Sequence, residues 1–169
     1  SVGVDMLHAQ GGTPSDEDRA REMIGKVDRG AAVADLAALV DWLRARPDAN
    51  GRVGAIGFCW GGGMVNALAV AAPSLDAAVP FYGQVPAAAD VAKIRAKLLL
   101  HYAGNDPRIN AGILGYEAAL RAAGVAYTLH VYEGAEHAFH NDTAGARYDE
   151  AAAKLAWTRT IAFLQAALT

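Results

Sequence analysis

The stretch from Val53 to Ala72 constrains the fold more than any other part of this chain. Val53-Gly-Ala-Ile-Gly-Phe58 is an unbroken apolar run of strand length, followed by Cys59, a glycine cluster at Gly61-Gly62-Gly63 and a helix-like segment from Met64 to Ala72. A short run without polar alternation suits a strand covered on both faces, and such strands belong to parallel sheets flanked by helices. The spacing therefore predicts a strand, a sharp turn and a helix in direct succession.

The rest of the chain repeats that vocabulary. Val2 to Leu7 reads as a short opening strand that stops at the turn signal Gln10-Gly-Gly-Thr-Pro14. From Ser15 to Arg46 the pattern is helical, with Val33, Leu36, Leu39, Val40 and Leu43 forming an apolar stripe at spacings of three and four, and Pro47 to Gly51 ends it. Two further apolar runs, Ala77–Tyr82 and Lys97–Ala103, read as buried strands. Helices are predicted over 87–95 and 111–123, an alternating strand over Tyr127–Tyr132, a loop over 133–145 and a final helix over 146–168. Strands alternating with helices predict an α/β fold with a mostly parallel sheet and helices on both faces. At 169 residues and 53% apolar, without repeats or linkers, residues 1–169 are expected to form a single domain.

Composition removes several function classes. A net charge of −3 leaves no basic stripe for a phosphate backbone, so nucleic acid is not an expected partner. A lone cysteine, Cys59, builds neither an internal disulfide nor a thiolate metal cluster, so a reducing, cytoplasmic setting and a site without metal are expected. The glycines do not spell Gly-x-Gly-x-x-Gly, nor are they followed by Gly-Lys-Ser/Thr, so no nucleotide cofactor is expected. No apolar run of membrane-spanning length and no signal segment is seen, so no membrane association is expected.

The glycine spacing around Cys59 carries chemistry. Gly57-Phe-Cys59-Trp-Gly61 places a nucleophile between glycines two residues before and two after, directly between strand and helix. A side chain on so tight a turn needs strained backbone angles, and its small neighbours let strand and helix approach. The free amides of the following helix would favour the thiolate of Cys59, and the amide of Trp60 is placed to meet a developing oxyanion. A thiol nucleophile needs a base, and the base needs an orienting acid. His8, His101 and His130 lie within apolar runs or strands and read as structural, whereas His137 and His140 sit in the loop after the last strand. Asp106 follows the 97–103 strand in Gly104-Asn-Asp-Pro107, at the sheet edge where α/β folds place ligands. Arg108 reads as a solvated loop residue, and Trp60, Phe81 and Tyr82 read as core rather than as ligand contacts.

Three segments, Gly57-Phe-Cys-Trp-Gly-Gly-Gly63, Leu98-Leu-Leu-His-Tyr-Ala-Gly-Asn-Asp106 and Tyr132-Glu-Gly-Ala-Glu-His-Ala-Phe139, resemble the dienelactone hydrolase family of the α/β-hydrolase superfamily, and the resemblance runs over essentially the whole chain. It implies an α/β-hydrolase fold and a triad of Cys59, Asp106 and His137. His137 is selected over His140 because the family pattern sets a Phe two places after its histidine. The implied reaction is hydrolysis of a small carboxylic ester or enol-lactone through an acyl-cysteine, without cofactor; the alternative is a weak or inactive hydrolase-like domain with a binding or assembly role.

The resemblance also implies strands ahead of Val2–Leu7 that this sequence does not contain, so the fold is expected to be N-terminally truncated. One of those strands would lie between 2–7 and 53–58, and its loop would supply a second oxyanion amide and an acidic contact to the resting thiol. An empty slot beside a buried strand exposes ladder groups and apolar faces, which must be covered. Three solutions follow: strand 2–7 moves across to pair with 53–58, a second copy covers the edge in a homodimer, or the chain is one piece of a longer protein.

Overall fold

Each predicted buried run becomes a strand. The computed structural model describes residues 1–169, and its strands are β1 (Gly54–Phe58), β2 (Ala77–Phe81), β3 (Lys97–Asn105) and β4 (Tyr127–Glu136). They form one sheet in the spatial order β1-β2-β3-β4, and every neighbouring pair is parallel. Consecutive parallel strands require crossovers, and the helices supply them. They are α1 (Glu17–Gly25), α2 (Arg29–Arg44), α3 (Trp60–Ala71), the short α4 (Pro107–Asn110), α5 (Ile113–Ala123) and α6 (Glu150–Leu168), with 3-10 turns at His8–Gln10, Ala88–Lys93 and Gly145–Arg147.

Alternation along the strands divides the core between the two faces of the sheet. On one face, Ala78, Leu98, Leu100 and Tyr102 pack with Val65 and Leu68 of α3 and with Tyr116 and Leu120 of α5; α2 lies over α3. On the other, Val79, Phe81, Leu99 and Ala103 pack with Ala152 and Ala156 of α6 and with Phe139. Central β2 is buried at every position, as its all-apolar sequence requires.

The region 15–46 folds as two helices rather than one. Asp28 accepts hydrogen bonds from the amides of Gly30 and Ala31, an N-cap that ends one helix and starts the next. The opening expectation fails: Val2–Leu7 forms no strand and does not move across to pair with β1. Asp5 explains why. Its carboxylate accepts from the amide of Leu7 at 2.9 Å and from the amide and hydroxyl of Thr13, folding the segment into a turn in which only Leu7 is buried. The outer edge of β1 is consequently unpaired, and Ile56 and Phe58 are 37% and 39% exposed beside it.

Candidate active site

The carboxyl ends of β1, β2, β3 and β4 bring the site residues together. Between β1 and α3, Cys59 adopts φ 54° and ψ −117°, a left-handed conformation that turns the chain abruptly from strand to helix. Close approach makes this possible. A Cβ on Gly57 would lie 2.2 Å from the Gly61 carbonyl oxygen, and one on Gly83 would lie 2.2 Å from the carbonyl carbon of Gly62. Gly61 itself has open space where a Cβ would go, so the steric need falls on Gly57, Gly62 and Gly83 rather than on the Gly57/Gly61 pair that the spacing suggests. The amide of Cys59 donates to the Phe81 carbonyl at 3.1 Å, which ties the bend to the end of β2.

Asp106 follows β3 and serves two partners. Its Oδ1 accepts from the amide of Ile109 at 3.2 Å, capping α4, while its Oδ2 lies 2.5 Å from His137 Nδ1. Pro107 at the first helical position fits that cap, and Asn110 Nδ2 donates to the carbonyls of Ala103 and Gly104, fixing the bend from beneath. The carboxyl side chain is 5% exposed.

His137 follows β4, which runs on through Glu136 rather than stopping at Tyr132. The irregular pairing of Ala103 and Asn105 with Tyr132 and Glu136 carries the extra residues, and Asn105 Nδ2 donates to the Gly134 carbonyl and to Glu136 Oε1. From there His137 Nε2 reaches Cys59 Sγ at 3.2 Å. Three residues separated by tens of positions thus form one hydrogen-bonded line, Cys59–His137–Asp106. The three non-glycine residues with positive φ, Cys59, Tyr82 and Ala138, all border it. Strain of this kind persists where the surrounding structure over-determines the backbone, and it concentrates at functional sites.

Electrostatics shift both partners toward their charged forms. The imidazole bonded to Sγ holds the Cys59 thiol below its ordinary pKa against the opposing cost of burial, and the Trp60 amide and the Arg108 charge act in the same direction. Reciprocally, the sulfur and then Asp106 hold His137 above the usual imidazole value. The remaining histidines stand apart from this line. His101 is sealed, with Nδ1 2.9 Å from Tyr132 Oη and Nε2 3.1 Å from Thr160 Oγ1, and burial drives its pKa to about 3. His130 stacks on His101, and His140 lies between Phe58 and Trp157.

Two cavities flank the thiol. One, of about 320 Å³, is bordered by Phe58, Tyr82, Ala138, His140, Asn141 and Asp142. The other, of about 230 Å³, is bordered by Trp60, Gln84, Arg29, Arg108 and His137, again with Tyr82. Trp60, Tyr82 and Arg108 thus face the site, while Phe81 is core with no exposure. Arg29 and Gln84 carry no sequence signal, because the helix and turn that hold them are brought to the site only by packing. No group of three or more His, Cys, Asp or Glu side chains is gathered to hold a metal ion, and no helix is long and apolar enough to cross a membrane.

A parallel sheet with helices on both faces and a strained residue between a strand and its helix defines the α/β-hydrolase architecture. The acylaminoacyl peptidase of Pyrococcus horikoshii shares that fold at 16% identity, with a TM-score of 0.65 over 81% of this chain and 28% of that one. The chain belongs to the dienelactone hydrolase family, whose profile matches residues 4–168. It is 34% identical over 158 residues to the carboxymethylenebutenolidase of Pseudomonas putida, covering 89% of this chain and 65% of that protein. A dienelactone hydrolase-like promiscuous phosphotriesterase from metagenomic libraries superposes with a TM-score of 0.73 at 26% identity, covering 92% of this chain and 68% of that one. The chain spans about half the length of the curated relatives it matches, from 44% of a Saccharolobus solfataricus protein, 39% identical over 115 residues, to the 65% of the P. putida enzyme.

Proposed function

We propose that this chain carries a cysteine hydrolase site for small carboxylic esters or enol-lactones, with Cys59 as nucleophile, His137 as base and acid, and Asp106 as the group that orients it. The observation that supports this reading is the contact of His137 with both partners, 3.2 Å to Cys59 Sγ and 2.5 Å to Asp106 Oδ2. The thiolate attacks the carbonyl carbon and the carbonyl electrons move onto oxygen, where the Trp60 amide meets them. As the tetrahedral intermediate collapses, the imidazolium gives its proton to the departing alkoxide, leaving an acyl-cysteine. His137 then takes a proton from water, hydroxide adds to the acyl carbon, and the carboxylic acid leaves with the thiolate restored. One proton moves in each half-reaction and the thioester formed in the first is broken in the second, so the scheme balances with water as the only co-reactant.

Alkylation of Cys59 by iodoacetamide tests the ion pair. A depressed thiol pKa means thiolate persists as pH falls, so the midpoint of the rate profile is expected below the ordinary thiol value of about 8.5. In His137→Ala the largest lowering cause is gone, and the midpoint is expected to return toward that ordinary value. Superimposable profiles for the two proteins would refute the pairing.

Asp106→Asn separates orientation from charge. The amide keeps an oxygen for the Ile109 cap but leaves no carboxylate at Nδ1. Because the shifts of Cys59 and His137 both favour proton transfer to the imidazole, the carboxylate has less to supply than in a serine triad, and the expected loss in kcat/KM is about a hundredfold against the ~10⁴ seen when a serine triad loses its carboxylate. A loss under about threefold would assign Asp106 to the α4 cap alone.

The open edge of β1 favours a second reading, in which the site turns over only when that edge is covered, as by a second copy. Turnover per subunit that rises with protein concentration, in step with dimer formation by light scattering, would support it; constant turnover by a monomer would reject it.

A further inference from the structure

Cys59 and Tyr82 are the two residues that line both cavities, so an ester seated on the sulfur with its acyl and alkoxy parts on either side must pass over Tyr82. Tyr82 is placed there firmly. It follows β2 at φ 36°, its amide donates to the His101 carbonyl at 2.7 Å, and its ring centroid lies 5.0 Å from that of His137 and 5.4 Å from that of Phe139. The residue is 2% exposed, and what it exposes faces the cavities. No hydrogen bond within the chain is donated by the Tyr82 phenol, whose ring borders the space on both sides of the sulfur, so its proton is uncommitted. A nearly buried phenol with a free proton beside a nucleophile is an unused donor in a place of low dielectric, where a hydrogen bond to developing charge is strong.

We propose that the Tyr82 phenol donates a hydrogen bond to the substrate carbonyl oxygen as it becomes an oxyanion over Cys59, acting with the Trp60 amide. This rests on the hydrolase reading above and adds to it a side-chain donor at the reacting centre. The strained backbone fits such a role, because a residue that served only to fill space would sit as well on relaxed angles. Burial and the neighbouring sulfur both hold the phenol above its ordinary pKa, so it still carries its proton at the pH where Cys59 ionises. Proton transfer is not involved: the phenol keeps its proton, and the collapse of the intermediate returns the electron pair to the carbonyl.

Two reactions of the same sulfur separate this from a structural role. Acylation of Cys59 by p-nitrophenyl acetate builds an oxyanion, whereas alkylation by iodoacetamide displaces iodide at a saturated carbon and builds none. Both rate constants are measured on the full chain, in wild type and Tyr82→Phe, by mass spectrometry under single-turnover conditions. The ratio of acylation to alkylation is expected to fall on the order of a hundredfold in the variant, the scale set by losing one oxyanion donor, with alkylation unchanged within about twofold. An unchanged ratio overturns the inference, and so does a parallel fall of both rates, which would make Tyr82 a support for the thiol or for the fold. Wild type that alkylates normally but never acylates would instead overturn the hydrolase reading, and this inference with it.

Discussion

Cys59→Ala is expected to lower ester hydrolysis by about 10⁴-fold or more, to the level of catalysis that binding and amide donors give without a nucleophile. The size of the effect follows from the division of labour. His137 and Asp106 stay in place, but the imidazole then has only water to activate, with no covalent intermediate to split the barrier. Loss through unfolding is not expected, because Cys59 is an exposed residue and alanine keeps its Cβ while adding no atom at the bend. Thermal melts of wild type and variant should therefore coincide within a few degrees. The accompanying measurement is the mass of the protein after mixing with an activated acetate: wild type gains one acetyl group on Cys59 and the variant gains none. A variant hydrolysing within tenfold of wild type, or an acetyl group found elsewhere, would place the nucleophile on another residue.

The second large effect concerns the turn that presents the sulfur. Gly57→Ala sets a methyl 2.2 Å from the Gly61 carbonyl oxygen, and Gly83→Ala sets one 2.2 Å from the Gly62 carbonyl carbon and 2.4 Å from the Gly63 nitrogen. These are backbone atoms, so no rotamer change relieves the contact. The first turn of α3 must lift away from β1 or β2, at an expected cost of about 3 kcal/mol or more. At roughly 2–4 °C per kcal/mol for a chain of this size, melting should drop by about 6–12 °C. Gly61→Ala is the internal control. Nothing lies within 4 Å of its added Cβ, and alanine is a better helix former, so the melt should hold or rise. Equal losses in all three variants would mean that glycine content, and not contact with α3, governs the junction.

Much of this arrangement is legible in the order of the residues. The apolar runs at 53–58, 77–82 and 97–103 lie on β1, β2 and β3 because strands covered on both faces have no polar positions to disguise them. Cys59 stands out because its glycine neighbours follow from local geometry. Other expectations fail where a side chain competes with the ladder or the helix. Asp5 takes the Leu7 amide that a strand at 2–7 would need, and Asp28 caps a new helix just ahead of the apolar stripe, dividing the 15–46 segment in two. Beyond Tyr132, β4 continues through Gly134 at φ 76°, a conformation that polarity patterns do not report.

What the sequence determined alone is therefore local: the period of each element, the bend at Cys59 and the residue types able to act there. Choosing His137 over His140 on the residues alone leaves two candidates, and resemblance rather than spacing separates them. Packing brings one of the two to the sulfur. His137 and Cys59 lie 78 positions apart and meet at 3.2 Å, while three residues further on His140 turns toward Phe58 and Trp157. The burial of Tyr82 between two cavities, and the identity of the glycines that touch α3, likewise belong to tertiary structure alone. Both are distances between segments remote along the chain, fixed by how the whole sheet and its helices pack.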